Sequence, residues 1–192
     1  MNRSYVFLAN GFEEIEALTV VDVMRRAGLE VQTVSINKDN NVIGAHGVTV
    51  VADTNIYAAN FEDAVWLIAP GGMPGSQNLH ECKKLNDILS AHFKKDGKIA
   101  AICAAPALVL SPLGILDGKE ATCYPGMENH FRKEVIQKVA HVVKDGNVIT
   151  ANGPATATMF ALTIVADTLG KTIAQEIGSG MLCYCQPVNI YL

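Results

Sequence analysis

The chain has 192 residues, 49% apolar and 18% charged, with a formal net charge of −4. That balance suits one compact globular domain over residues 1–192 and excludes a disordered or fibrous chain. An acidic chain without a basic run is not expected to have nucleic acid or an anionic membrane surface as its main partner.

Met1-Asn2-Arg3-Ser4 leads into the apolar stretch Tyr5–Ala9, too short for the core of a signal peptide, and no stretch approaches the length of a transmembrane helix. A cytoplasmic location is the expectation. The five cysteines, Cys82, Cys103, Cys123, Cys183 and Cys185, are odd in number and irregularly spaced, which points to free thiols rather than a disulfide framework. Cys183 and Cys185 form a lone C-x-C with no histidine at ligand spacing, so neither zinc nor any other metal or cofactor is expected.

Short apolar runs alternate with amphipathic stretches, the pattern of βαβ units around a mostly parallel sheet. Tyr5–Ala9 reads as a strand and Ile15 to about Ala27 as a helix, with acids in its first turn, Arg25 and Arg26 in its last and Gly28 just beyond. Glu30–Ser35 is a strand. Val42-Ile43 and Val48–Ala52, on either side of Gly44–Gly47, read as a small hairpin or flap. Val65–Ala69 is a buried strand ending in Pro70-Gly71-Gly72-Met73-Pro74-Gly75. A helix around Glu81–Lys94 precedes the strand Lys98–Ile102. Pro106 opens the next helix from its favoured first position, and Gly114 closes it. Ala121–Tyr124, Val139–Val143 and Asn147–Thr150 read as strands, the last two joined through Asp145-Gly146. Ala155–Leu169 and a shorter stretch from Thr172 to Ile177 are helices.

Ligands on open parallel sheets bind at the carboxyl ends of the strands, so the junctions after Ala9, Ala69 and Ile102 should meet at one crevice. The third carries Cys103 between a buried strand and a helix start, with the small residues Ala104 and Ala105 beside it. Such a turn resembles a nucleophile elbow, and the helix start there favours a thiolate. On spacing alone, Cys103 is equally well read as a small apolar residue closing a core strand. The first junction carries Glu13, Glu14 and Glu16. Complementing the helix dipole is reason enough for Glu13 and Glu14. Glu16 sits deeper, among Ile15, Ala17 and Leu18, where desolvation against a thiol raises a carboxyl's pKa and fits it to move a proton. The second junction carries Gly71 and Gly72, whose N–H groups could meet an oxyanion. No dinucleotide or nucleoside triphosphate motif follows any strand. His80, His92 and His141 read as surface residues, whereas His46 in the flap and His130 could approach a site.

Taken together, Gly11-Phe12-Glu13-Glu14-Ile15-Glu16, Val21-Asp22-Val23-Met24-Arg25-Arg26-Ala27-Gly28, Pro70-Gly71-Gly72, Gln77-Asn78-Leu79, Ala100-Ala101-Ile102-Cys103-Ala104-Ala105-Pro106 and Asn152-Gly153-Pro154-Ala155-Thr156 resemble the DJ-1/ThiJ/PfpI superfamily, and within it the DJ-1-like branch. The resemblance implies a single-domain α/β fold, flavodoxin-like and doubly wound, with helices on both faces of a mostly parallel sheet. It implies a reactive, oxidisable Cys103, a protonated Glu16 hydrogen-bonded to it, backbone N–H groups of Gly72 and Ala104 for an oxyanion, and a homodimer with the site near the interface. His46 falls where relatives carry a flap arginine, and Gly71 and Pro154 lie in motifs beside the site. Tyr124 stands where DJ-1 itself has a histidine, and a phenol with a pKa near 10 is a poor general base at neutral pH. The activity implied is a cofactor-free glyoxalase or deglycase reaction on methylglyoxal or another small reactive carbonyl. The alternative is a redox-sensing chaperone of the oxidative stress response. A peptidase or amidase fits distant relatives with a histidine after the cysteine, where this chain has Ala104.

Overall fold

The computed structural model describes residues 3–183. In the first strand, β1 (Arg3–Leu8), every side chain from Ser4 onward is buried, with Val6 and Leu8 in one apolar cluster and Tyr5 and Phe7 in another. A strand covered on both faces belongs inside a sheet with helices on either side. The other elements follow in order: α1 (Glu14–Arg26), β2 (Val31–Ser35), β3 (Asn41–Ile43), β4 (Thr49–Val51), β5 (Thr54–Asn55), β6 (Ala64–Ala69), α2 (Gly75–Glu81), α3 (Lys83–Phe93), β7 (Lys98–Ile102), β8 (Glu120–Ala121), β9 (Ile136–Gln137), β10 (Val142–Asp145), β11 (Val148–Ala151), α4 (Ala157–Leu169) and α5 (Lys171–Gly180).

The main sheet runs β10-β11-β7-β6-β1-β2-β5, and every neighbouring pair is parallel except β10 with β11. Leaving aside the two-residue edge strand β5, the parallel strands β1, β2, β6, β7 and β11 lie, counted in chain order, 2-1-3-4-5, the flavodoxin-like order. One apolar cluster joins α1, α4 and α5 to the sheet through Val20, Met24, Phe160, Ile164 and Ala174. The other packs Leu79, Leu85, Leu89 and Val109 on the opposite face. Among the described residues, no helix is long and apolar enough to cross a membrane.

The flap forms as expected, as the antiparallel pair β3–β4, and Asp145-Gly146 turns the hairpin β10–β11. The helix expected around Glu81–Lys94 forms as α3 (Lys83–Phe93), set off by the extended Cys82 (φ −76°, ψ 91°) from α2, a helix the sequence reading does not anticipate. Three expectations need correction. The segment opened by Pro106 is a five-residue π-turn, Pro106–Leu110, closed by Ser111 N–H donating to the Pro106 carbonyl at 3.0 Å. Of the expected strand Ala121–Tyr124 only Ala121 is in a strand, as the second residue of β8, which pairs with the short β9. The strand expected from Val139 begins at Val142, since Val139 is fully exposed and has no core to face.

Candidate functional site

The carboxyl ends of β1, β6 and β7 are neighbours in the sheet, and the loops after β1 and β6 are hydrogen-bonded together. Glu13 N–H donates to the Gly71 carbonyl (3.0 Å) and Gly75 N–H to the Gly11 carbonyl (3.0 Å), tying the loop after β6 to the one after β1. The flap joins through Gly11 N–H on the Ile43 carbonyl (2.7 Å) and Ala45 N–H on the Phe12 carbonyl (2.8 Å).

Cys103 immediately follows β7. Its φ is +64°, a left-handed conformation that a non-glycine residue holds only when its surroundings impose it. Here its N–H donates to the Ala151 carbonyl (2.9 Å) and its own carbonyl accepts from Tyr124 N–H (2.8 Å), so the strained residue is pinned from both sides. The side chain is 9% exposed.

Glu16, in the first turn of α1, is fully buried against this thiol. Its Oε2 accepts a hydrogen bond from Gly71 N–H at 2.7 Å, and its Oε1 has no partner of good geometry. Oε1 is therefore the oxygen that can carry a proton. Burial pushes the carboxyl up to about 7, against the pull of the Gly71 N–H and of Cys103. Burial and the neighbouring Glu16 carboxylate push the Cys103 thiol up to about 12, although the N–H groups of Gly72 and Ala104 donate to the sulfur. Between those values the pair holds one proton, placed on sulfur or on carboxyl. The expectation that backbone N–H groups and the helix start favour a thiolate meets an opposing effect here. A single π-turn adds little dipole, and burial beside a carboxylate outweighs it.

Both glycines are required by shape. A Cβ on Gly71 would stand 2.5 Å from Cys103 Cβ and 2.5 Å from Glu16 Oε2. Gly72 has φ +93°, and a Cβ there would overlap the backbone at Gly11, Phe12 and Glu13.

The structure therefore brings together Cys103, Glu16, Gly71, Gly72 and Ala104. Tyr124 touches the site through its backbone, while its half-exposed ring lies over Gly153 (a Cβ there would be 3.4 Å from the ring), just before Pro154. Pro154 opens a 3₁₀ turn after β11, the strand that supplies the carbonyl bonded to Cys103. His46 approaches Glu14 instead of the thiol: its N–H donates to Glu14 Oε1 (2.8 Å) and its Nδ1 lies 2.8 Å from Oε2. That bond raises the imidazole's proton affinity. Burial acts to raise the Glu14 carboxyl, yet the bonds from His46 and the flap backbone outweigh it and hold it below the usual carboxylate range. Glu14 is thus a flap anchor as well as a dipole partner. Sequence reasoning missed this because the partner lies 32 residues away.

His130 is exposed on a 3₁₀ turn, and His141 is also exposed. His92 is a correction: it is half-buried, with Nε2 3.1 Å from the Lys98 carbonyl, and burial lowers its pKa. Cys123 is buried, and burial pushes its thiol up to about 12. Cys82, Cys103, Cys123 and Cys183 are free thiols. Cys185 lies outside the described residues.

The sequence and the fold have close counterparts. Residues 2–167 match the model of the DJ-1/PfpI family. Protein dj-1beta of Drosophila melanogaster is 37% identical over 182 residues, which cover 92% of this chain and 95% of the relative. Protein DJ-1 homolog B of Arabidopsis thaliana is 35% identical over 96% of this chain, although the chain spans only 42% of that longer protein. The solved structure "Toxoplasma gondii DJ-1, oxidized" superposes with a TM-score of 0.92 at 34% identity, covering 97% of this chain and 100% of the other. On sequence and on architecture alike, the chain belongs to the DJ-1/PfpI family.

Proposed function

We propose that the protein converts a small reactive carbonyl, of which methylglyoxal is the model, into a hydroxy acid through Cys103 with Glu16 as proton shuttle. The observation that carries this reading is the juxtaposition of a strained, pinned thiol with a buried carboxyl whose Oε1 is unpartnered. A base with a pKa near the working pH combines availability with driving force. In this mechanism the Glu16 carboxylate takes the thiol proton as sulfur bonds to the aldehyde carbon, and the N–H groups of Gly72 and Ala104 stabilise the negative charge that develops. Glu16 hands that proton to the alkoxide oxygen, completing the hemithioacetal. As a carboxylate again, it carries the carbon-bound hydrogen, as a proton, to the neighbouring carbonyl carbon while the hydroxyl proton passes to that carbonyl's oxygen, leaving a thioester. Water then breaks the sulfur–carbon bond, releasing lactate and restoring the thiol. The sequence is an internal redox isomerisation plus hydration and needs no outside oxidant or reductant. The 9% exposure of Cys103 favours small substrates.

A second reading, oxidation of Cys103 to a sulfinate by two equivalents of peroxide, each reduced to water, draws on the same N–H donors and on a relative whose solved structure is described as oxidized. One experiment separates the two. Purified protein is incubated with methylglyoxal, lactate is measured, and the intact mass is followed after mild peroxide. The enzyme reading expects turnover that falls at least about 100-fold in Cys103→Ala and Glu16→Gln. Lactate no higher than in a buffer blank sinks it. Two added oxygens on Cys103 without turnover favour the sensor.

A further inference from the structure

The Cys103 site uses the carboxyl ends of β1, β6 and β7. On the β2 side of β1, the same end of the sheet carries a second concavity, a cleft of about 390 Å³. Asn10 leads out of β1, Asn37 out of β2 and Tyr57 out of β5, three neighbouring parallel strands. Asn78 and Glu81 of α2, with Cys82 just beyond, close the cleft from the other side. Open α/β sheets take their ligands at the carboxyl ends of the strands, and the volume falls in the range of small-molecule sites, about 300–1,000 Å³.

The lining is polar, and its amides are held in place. Asn10 Oδ1 accepts from Ile43 N–H at 3.0 Å, and Asn78 Nδ2 donates to the Asn10 carbonyl at 2.8 Å. Each bond fixes one end of an amide and leaves the other for a ligand, Nδ2 of Asn10 and Oδ1 of Asn78. Glu81 is steadied in the same way, with Oε1 accepting from Gln77 Nε2 at 2.8 Å. Lys84 Nζ stands 4.7 Å from the centre of the half-exposed Tyr57 ring and steadies it. Among the described residues, no lysine, arginine or histidine lines the cleft.

We propose that this cleft binds a neutral sugar ring, a hexopyranose. Sugar hydroxyls both donate and accept, and three amides, each with donors and an acceptor, match them. The Glu81 carboxylate accepts from a further hydroxyl, and the Tyr57 ring offers an apolar surface to the C–H face of the sugar. A phosphate or carboxylate ligand would meet the Glu81 charge without a cation in the lining. An apolar ligand would strip water from the amides and leave them unpaired.

The test is protection of Cys82, a partly exposed free thiol in the cleft wall. The full chain is treated with iodoacetamide in the presence of the methyl glycosides of glucose, galactose and mannose, and labelling of each cysteine is followed by peptide mass. These glycosides have no free aldehyde, so they do not react at Cys103, and the outcome is independent of the carbonyl chemistry proposed above. The exposed Cys183, beyond α5 on the opposite face of the sheet, is the control. At about 100 mM, roughly a hundredfold above a millimolar Kd, at least one glycoside should slow Cys82 labelling at least about fivefold and leave Cys183 unchanged. Asn37→Ala and Tyr57→Ala, both at exposed positions, should each raise the concentration needed at least about fivefold. Cys82 labelling that none of the three glycosides slows overturns the site, as does protection equal to the parent's in both variants. Protection by adenosine and by no glycoside overturns the sugar in favour of a planar base.

Discussion

At the scale of single residues, the site depends as much on what is missing as on what is present. Gly71 lies so close to Cys103 and Glu16 that the first atom of any side chain would push them apart. Gly71→Ala should lower turnover at least about 100-fold, since a misplacement of about 1 Å can cost that much. Overpacking should also destabilise the fold by about 1–3 kcal/mol in urea unfolding. Normal kinetics in Gly71→Ala would contradict the close packing described for the pair. Cys103 was legible from its place between an apolar strand and Pro106, and Glu16 from its apolar flanks. The proton affinity of the thiol was not, because it depends on a carboxyl 87 positions away in the chain.

At the scale of elements, the flap is fastened to α1 by one carboxyl. Glu14 accepts from His46 N–H at 2.8 Å and, more weakly, from Val48 N–H at 3.4 Å. Glu14→Gln removes the charge from these bonds, at a cost of about 1–2 kcal/mol to the closed flap. Amide exchange at His46 and Val48 should then run about tenfold faster, while β1 amides keep their protection. Equal rates in both proteins would show that β3 and β4 hold themselves shut. The long strands were legible because runs of five or six apolar residues carry their own signal. The two-residue strands β5, β8 and β9 carry none. The break at Cys82 has neither glycine nor proline to mark it, and the π-turn after Pro106 has the same apolar composition as an ordinary helix.

At the scale of the whole molecule, a buried acid that prefers its neutral form links stability to pH. The Glu16 carboxyl rises from 4.5 to about 7 on folding. Below pH 4.5 both folded and unfolded chains hold the proton. As pH rises, the unfolded chain releases it first, so the folded state loses stability until about pH 7. At about 1.4 kcal/mol per pH unit, the loss is about 3 kcal/mol. Urea midpoints should fall over this range in the parent and stay flatter in Glu16→Gln. The comparison isolates Glu16 from Glu14, Asp53 and Asp167, whose lowered values give the opposite slope at lower pH. A parent curve parallel to the variant's would mean that Glu16 is ionised as readily when folded as when unfolded.

The loops around Cys103 come from the first, second and third quarters of the chain and meet only when the sheet is complete, and they leave its sulfur little access to solvent. A consequence concerns reagents instead of substrates. Small electrophiles can reach the folded thiol, whereas bulky ones must wait for these loops to part. The ratio of the two labelling rates makes Cys103 a native gauge of how often this end of the molecule opens.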